Sequence, residues 1–200
     1  MRRTIFSFLV TSVVLTGCVS KNMKPDTNQA ASAVPADSSQ IIFLRSSSFG
    51  GAVEAHLFDA TEGDIKFIGS SMQHSKIRHT TKPGKYLFMV TGESADFMEA
   101  NLAAGKTYYA LVTPRHGVMQ ARFSLHPVTS QSHRKHTFLS PHIQATLAKG
   151  EFVSVAPTSA AWFESNKETF KSLYKSYIPK WDAKHLTEKA ERTLLPTDGI

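Results

Sequence analysis

Imidazoles, carboxylates and hydroxyls carry most protein chemistry, and this sequence spaces several of them closely. In SQSHRKH, His133 and His136 stand three residues apart with His142 close behind, a spacing that sets two imidazoles on one helix face and would suit zinc. No cysteine or carboxylate accompanies them, and Arg134 and Lys135 lie where they would repel a cation. The segment therefore reads as a solvated basic loop, and no metal site is expected. Asp59, Glu62 and Asp64 in DATEGD share only their charge with a calcium loop, since the ligand spacing of an EF-hand is missing. They read as a hairpin turn. No G-x-S-x-G elbow offers a nucleophilic serine beside a histidine and an acid. The chain is expected to be non-enzymatic and to need no cofactor.

A second group is suited to binding. Tyr86, Phe88, Tyr108 and Tyr109 fall in two apolar runs, and aromatic faces stack on sugar rings while phenol hydroxyls hydrogen-bond. Aromatics on neighbouring strands also pack across a core, which is the competing reading. Arg78, Lys82, Lys85 and Lys106 lie near the turns that precede those runs and would form a basic rim. The candidate contacts for a glycan or other anion are Lys82, Lys85, Lys106 and Tyr108.

The single cysteine, Cys18, stands directly behind an apolar run, IFSFLVTSVVL, that follows the basic start MRR. This order is that of a secretory leader. Eleven helical residues span roughly 16 Å, about half of a bilayer's ~30 Å hydrocarbon core, which argues against a permanent span. Leu15-Thr16-Gly17-Cys18 resembles the lipobox of bacterial lipoproteins. The resemblance implies that residues 1–17 are a signal peptide, that cleavage falls before Cys18, and that Cys18 carries lipid. Buried acyl carbons contribute about 0.8 kcal/mol per CH₂, so two or three chains hold a protein to a membrane. Val19, where an aspartate would favour retention in the inner membrane, implies the outer membrane and its periplasmic face. With no second cysteine, no intramolecular disulfide can form, and stability must come from packing. The formal charge is +7, of which Arg2 and Arg3 leave with the leader. The remaining excess favours anionic neighbours such as peptidoglycan carboxylates or lipid phosphates. Export argues against nucleic acid as a natural partner.

These groups need elements to position them. Residues 18–39 are polar, with Pro25 and Pro35, and read as a lipidated flexible tether with an r.m.s. span of roughly 25 Å. From 40 to 128, short runs of period two alternate with turn residues, the pattern of about seven antiparallel strands in a β-sandwich with one buried face per sheet. Pro83-Gly84 has the chemistry of a type II turn. Residues 129–200 read as a C-terminal α-helical appendage. Ser140-Pro141 would start a short helix ending at Gly150, although IQATL also fits a strand. Phe152 to Val155 reads as a strand. An amphipathic helix over 159–178, with Phe163, Phe170, Leu173, Tyr174, Tyr177 and Trp181 on one side, is expected to pack on the sandwich until Pro179 breaks or kinks it. A second short helix is expected over 187–193.

The run PGKYLFMV, followed by a short strand and AAGKTYYALV, resembles an uncharacterised family of bacterial lipoproteins with a β-sandwich domain of unknown function. In that family a Pro-Gly turn precedes one strand and an Ala-Gly-Lys-x-Tyr-Tyr turn the next. The ending AERTLLPTDGI, after Trp162 and Trp181, resembles the tails of proteobacterial lipoproteins. The resemblance spans roughly residues 40–128, implies a small β-sandwich on a lipid tether, and transfers no catalytic residue. The function expected is that of a membrane-anchored, periplasm-facing accessory or scaffolding module, partnered by the membrane through Cys18 and by an envelope protein. The alternative is a module that binds peptidoglycan or another anionic glycan.

Overall fold

The strand β2 (Ser39–Leu44), SQIIFL, is buried at all six residues. Ile41 and Phe43 point into one apolar cluster, Ile42 and Leu44 into another. A strand apolar on both faces needs cover on both, and the rest of the fold supplies it. The computed structural model describes residues 20–30, 33–46, 51–119 and 121–200.

Among the described residues, eleven strands form two mixed sheets. The six-stranded sheet runs β1 (Met23–Pro25), β10 (Glu151–Val155), β5 (Ser75–Thr81), β2, β8 (Thr107–Arg115), β9 (Arg122–Val128). The five-stranded sheet runs β11 (Thr193–Leu194), β7 (Ala95–Leu102), β6 (Gly84–Thr91), β3 (Ala55–Asp59), β4 (Lys66–Ser71). The sheets share an inner core in which Phe43 of one meets Phe88 of the other edge-on, ring centroids 5.4 Å apart. The expected fold of about seven purely antiparallel strands is thus corrected. Three pairings, β10 with β5, β2 with β8 and β11 with β7, are parallel. Long crossovers produce them, because β2 and β8, or β5 and β10, belong to distant parts of the chain.

The outer faces are covered by helices. Helix α1 (Pro141–Lys149), with proline at its start where the missing N–H costs nothing, lays Ile143 over Ile42, Leu44, Leu111 and Val128. Helix α2 (Ser159–Asp182) lays Phe163, Phe170 and Trp181 over Phe58, Met89 and Phe97. It continues through Pro179 instead of stopping there, since a proline in the last turn removes a single backbone bond and Ala183 N–H still reaches the Pro179 carbonyl. Helix α3 (Leu186–Ala190) ends before the expected 193 because Thr193 and Leu194 pair with Glu99 and Ala100 as β11. Among the described residues no helix is long and apolar enough to cross a membrane.

The segment expected to be a tether is in part built into the body. Met23–Pro25 pairs antiparallel with Val153–Val155, and Met23, only 4% exposed, joins the inner core. Gln29 bonds both the N–H and the carbonyl of Phe152 through its side-chain amide, and Arg78 pairs with Asp26 at 3.1 Å. Polar composition concealed this, because the attachment uses backbone and amide groups, one ion pair and one thioether.

Candidate functional site

The two turns of the family-like motif do not close hairpins. Lys82-Pro83 carries the chain from β5 in one sheet to β6 in the other, and Ala103–Lys106 carries it from β7 back to β8. Gly105 adopts φ +70° there and donates its N–H to the Ser38 carbonyl. Both crossovers lie at one end of the body, since Ser39 faces Thr81 and Gly84 faces Leu102.

Gathering the turns at one end does not make the expected platform. Tyr108 is fully buried, its hydroxyl accepting from Ala103 N–H at 2.8 Å and donating to the Pro196 carbonyl at 3.2 Å, so it cannot stack on a sugar. Phe88 is equally buried, and Tyr109 packs edge-on against Phe138. Lys106 directs its ammonium at the carbonyls of Pro196 and Gly199, where it fastens the C-terminal tail. Lys82 and Lys85 remain exposed. Asp59 ends β3, and Glu62 and Asp64 lie in the turn between β3 and β4; Asp59 accepts from Thr61, Glu62 pairs with Lys66 and Asp64 with Lys171. Cys18 lies outside the described residues.

A cleft of about 490 Å³ opens elsewhere, on the flank where β9 and β11 face each other. One wall is the end of β9 and the loop after it, with His126, Arg134, Lys135 and His136; the other is the α2–α3 corner and the residues after α3, with Lys184 and Arg192. Four cationic side chains line it against two carboxylates, Glu188 and Glu191. Arg134 is held by the carbonyls of Ala190 and Thr193 at 3.0 and 3.1 Å, which staples the loop to the tail without neutralising the guanidinium. Arg192 pairs with Asp96 at 2.5 Å. Lys135 is exposed and makes no ion pair among the described residues.

Two histidines sit at the back of the cleft. His126 reaches Thr113 Oγ1 through Nε2 at 3.1 Å, while neither ring nitrogen of His136, 9% exposed, has a hydrogen-bond partner among the described residues. Burial, joined by the positive charges of Arg192 and Lys135, pushes His126 down to about 3 and His136 to about 4. Both are neutral near pH 7 and stand beside fixed cations, His126 bonded to Thr113 and His136 with both ring nitrogens open to a partner. His142 packs on His136 at 5.7 Å between centroids, but no group of three or more metal-ligating side chains occurs among the described residues. The chemistry of the lining suits negative charge, with guanidinium and ammonium groups for attraction and imidazoles beside them.

Sequence reasoning placed His133, Arg134, Lys135 and His136 in a solvated basic loop, whereas His136 faces inward. His126 and Arg192 escaped it altogether. They stand 66 positions apart, and no local pattern connects them.

No protein-family model matches this chain, and no curated protein is similar enough to count as a relative. The class that fold and site define is a two-sheet β body, helix-covered on both outer faces, with a basic cleft on one flank.

Proposed function

We propose that this chain is a lipid-anchored protein of the outer membrane, facing the periplasm through a non-enzymatic binding body that acts as an accessory module of the envelope. The leader-like start and Leu15-Thr16-Gly17-Cys18 support the anchor. Of the two expected roles, scaffold and anionic-glycan binder, the second is favoured by one observation: the cleft between His126–His136 and Lys184–Arg192, with four cations to two carboxylates and an unpartnered imidazole at its back. Its ligand is a carboxylate- or phosphate-bearing glycan such as peptidoglycan. The contacts move from Lys82, Lys85, Lys106 and Tyr108 to Arg134, Lys135, Lys184 and Arg192.

Co-sedimentation with purified sacculi tests this reading. Retention is expected to be salt-sensitive and to fall at least tenfold in the Lys135→Glu/Lys184→Glu variant, with Lys82→Ala/Lys85→Ala retained like the parent. Retention that follows Lys82 and Lys85 would return the site to the crossover end. No retention at all would leave the scaffolding role, to be pursued by crosslinking in intact cells.

A further inference from the structure

The flank opposite the basic cleft is also open. There the edge strand β4 of one sheet faces β10 and β1 of the other, and a depression of about 370 Å³ lies between them, mostly apolar in its lining. Ser20, Met23, Ser70, Met72, Lys149 and Val153 are among the residues around it. Met23 lines it; its sulfur accepts the Ser70 N–H at 3.2 Å, its methyl lies beside Gly69, and it belongs to the same inner core as Ile77. The depression thus borders the inner core at Met23. Such volume is at the small end of the roughly 300–1,000 Å³ of ligand cavities, a size for one slender apolar group.

Chain geometry names the group. Ser20, on the rim, is 6% exposed and is anchored by its carbonyl, which accepts Met23 N–H, and by its hydroxyl, which accepts Asn22 N–H. Cys18 precedes it by two residues, and two residues extend at most about 7 Å. A substituent on the Cys18 sulfur or nitrogen thus begins within one short step of an apolar opening, instead of at the end of a long tether.

We infer that this cleft receives one acyl chain of the lipid carried by Cys18. The inference rests on the lipoprotein reading above. It gives the anchor two seats, the bilayer and the protein's own flank, and holds the body close to the membrane with Lys21 and Lys24 exposed beside the lipid phosphates. Strand order then sets the orientation. With β1, β10 and β4 on the membrane flank, β9 and β11 lie on the opposite one, so the basic cleft opens away from the bilayer.

The test compares the mature chain from Cys18 onward in two forms, lipidated from its host and made without lipid in the cytoplasm. Intact mass first reports the lipid; a bare Cys18 in the host protein would sink the lipoprotein reading itself. The fluorescent fatty acid cis-parinaric acid is then titrated into each. The unlipidated form is expected to bind it at micromolar concentration, and the lipidated form at least tenfold more weakly because its own chain is seated. Met72→Trp, or Val153→Phe should that variant fail to fold, is expected to weaken binding to the unlipidated form at least tenfold. Hydrogen exchange at residues 20–25 and 70–76 is expected to be slower in the lipidated protein. Equal probe binding by both forms, or binding indifferent to the cleft-filling variants, overturns the inference while leaving lipidation standing.

Discussion

His126 and His136 hold their imidazole rings 4.8 Å apart at an interplanar angle of 52°, although one is on β9 and the other on the loop that folds back across its end. Protonating either would place a cation beside the other ring, Arg192 and Lys135, with Arg115 near His126 and His142 near His136. Both are held at about 3 and 4 in the folded protein, against about 6.5 in an unfolded chain. Between those limits the unfolded state binds protons that the folded state does not, so stability rises with pH across the window and is fully present above about pH 6.5. His56, buried under Trp162 and Phe170 and lowered to about 4, adds in the same direction. Urea midpoints are expected to fall from pH 7 to pH 5, at a limit of about 1.4 kcal/mol per pH unit per histidine. The His126→Gln/His136→Gln variant should show a shallower slope; an unchanged slope would mean that these rings titrate normally.

Anion binding should itself depend on pH. An anion seated against His136 favours the imidazolium, so binding takes up protons, and affinity for a soluble peptidoglycan fragment should be higher at pH 5.5 than at pH 7.5. Isothermal titration in buffers of differing ionisation enthalpy would show the uptake directly. His136→Phe should remove the pH dependence and leave a weaker, pH-independent interaction with the fixed cations.

The tail is secured at Tyr108. Tyr108→Phe removes the acceptor for Ala103 N–H and a donor to Pro196, a loss of about 1–3 kcal/mol measurable by chemical denaturation. Gly199→Ala should cost at least as much, since a Cβ there would lie 2.6 Å from the Tyr108 ring.

Phe170 touches Phe58 at 4.8 Å between centroids and Trp162 at 5.6 Å. Phe170→Ala is expected to destabilise by about 3–5 kcal/mol and to alter the tryptophan emission, because it opens a cavity between α2 and the sheet. A change below about 1 kcal/mol would mean that the helix only rests on the body.

Met23→Asp should release the N-terminal strand, placing a carboxylate in an apolar core at a cost of several kcal/mol. Hydrogen exchange should then accelerate at Ala156, whose N–H bonds the Asn22 carbonyl, and at Asp26. Unchanged exchange there would show that β1 is held by its backbone pairing alone.

Much of the architecture was legible because it is local. Period-two runs marked β2, β3, β4, β6, β8 and β9, and helical spacing of Phe163, Phe170 and Tyr174 marked α2, since side-chain direction follows backbone period. Strand β5, SKIRHTT, was not legible, because its polar residues hide a strand that only its neighbours β2 and β10 define. The helix after Ser140-Pro141 was legible too, through proline at its start. The number and mixed sense of the strands were not, because strand pairing is decided between segments far apart in the chain. SQIIFL carried a sign that went unread: apolar residues on both of its faces meant a strand covered twice.

Amino-acid order by itself determined the β body, the covering helix and the leader-like start, all features of neighbouring residues. Only tertiary structure decided that Tyr108 is buried, that Lys106 holds the tail and that residues 20–30 belong to the body. It alone set His126 beside His136 and both near Arg192. The reason is that burial and electrostatic surroundings depend on which distant segments share a wall, a property that no window of sequence contains.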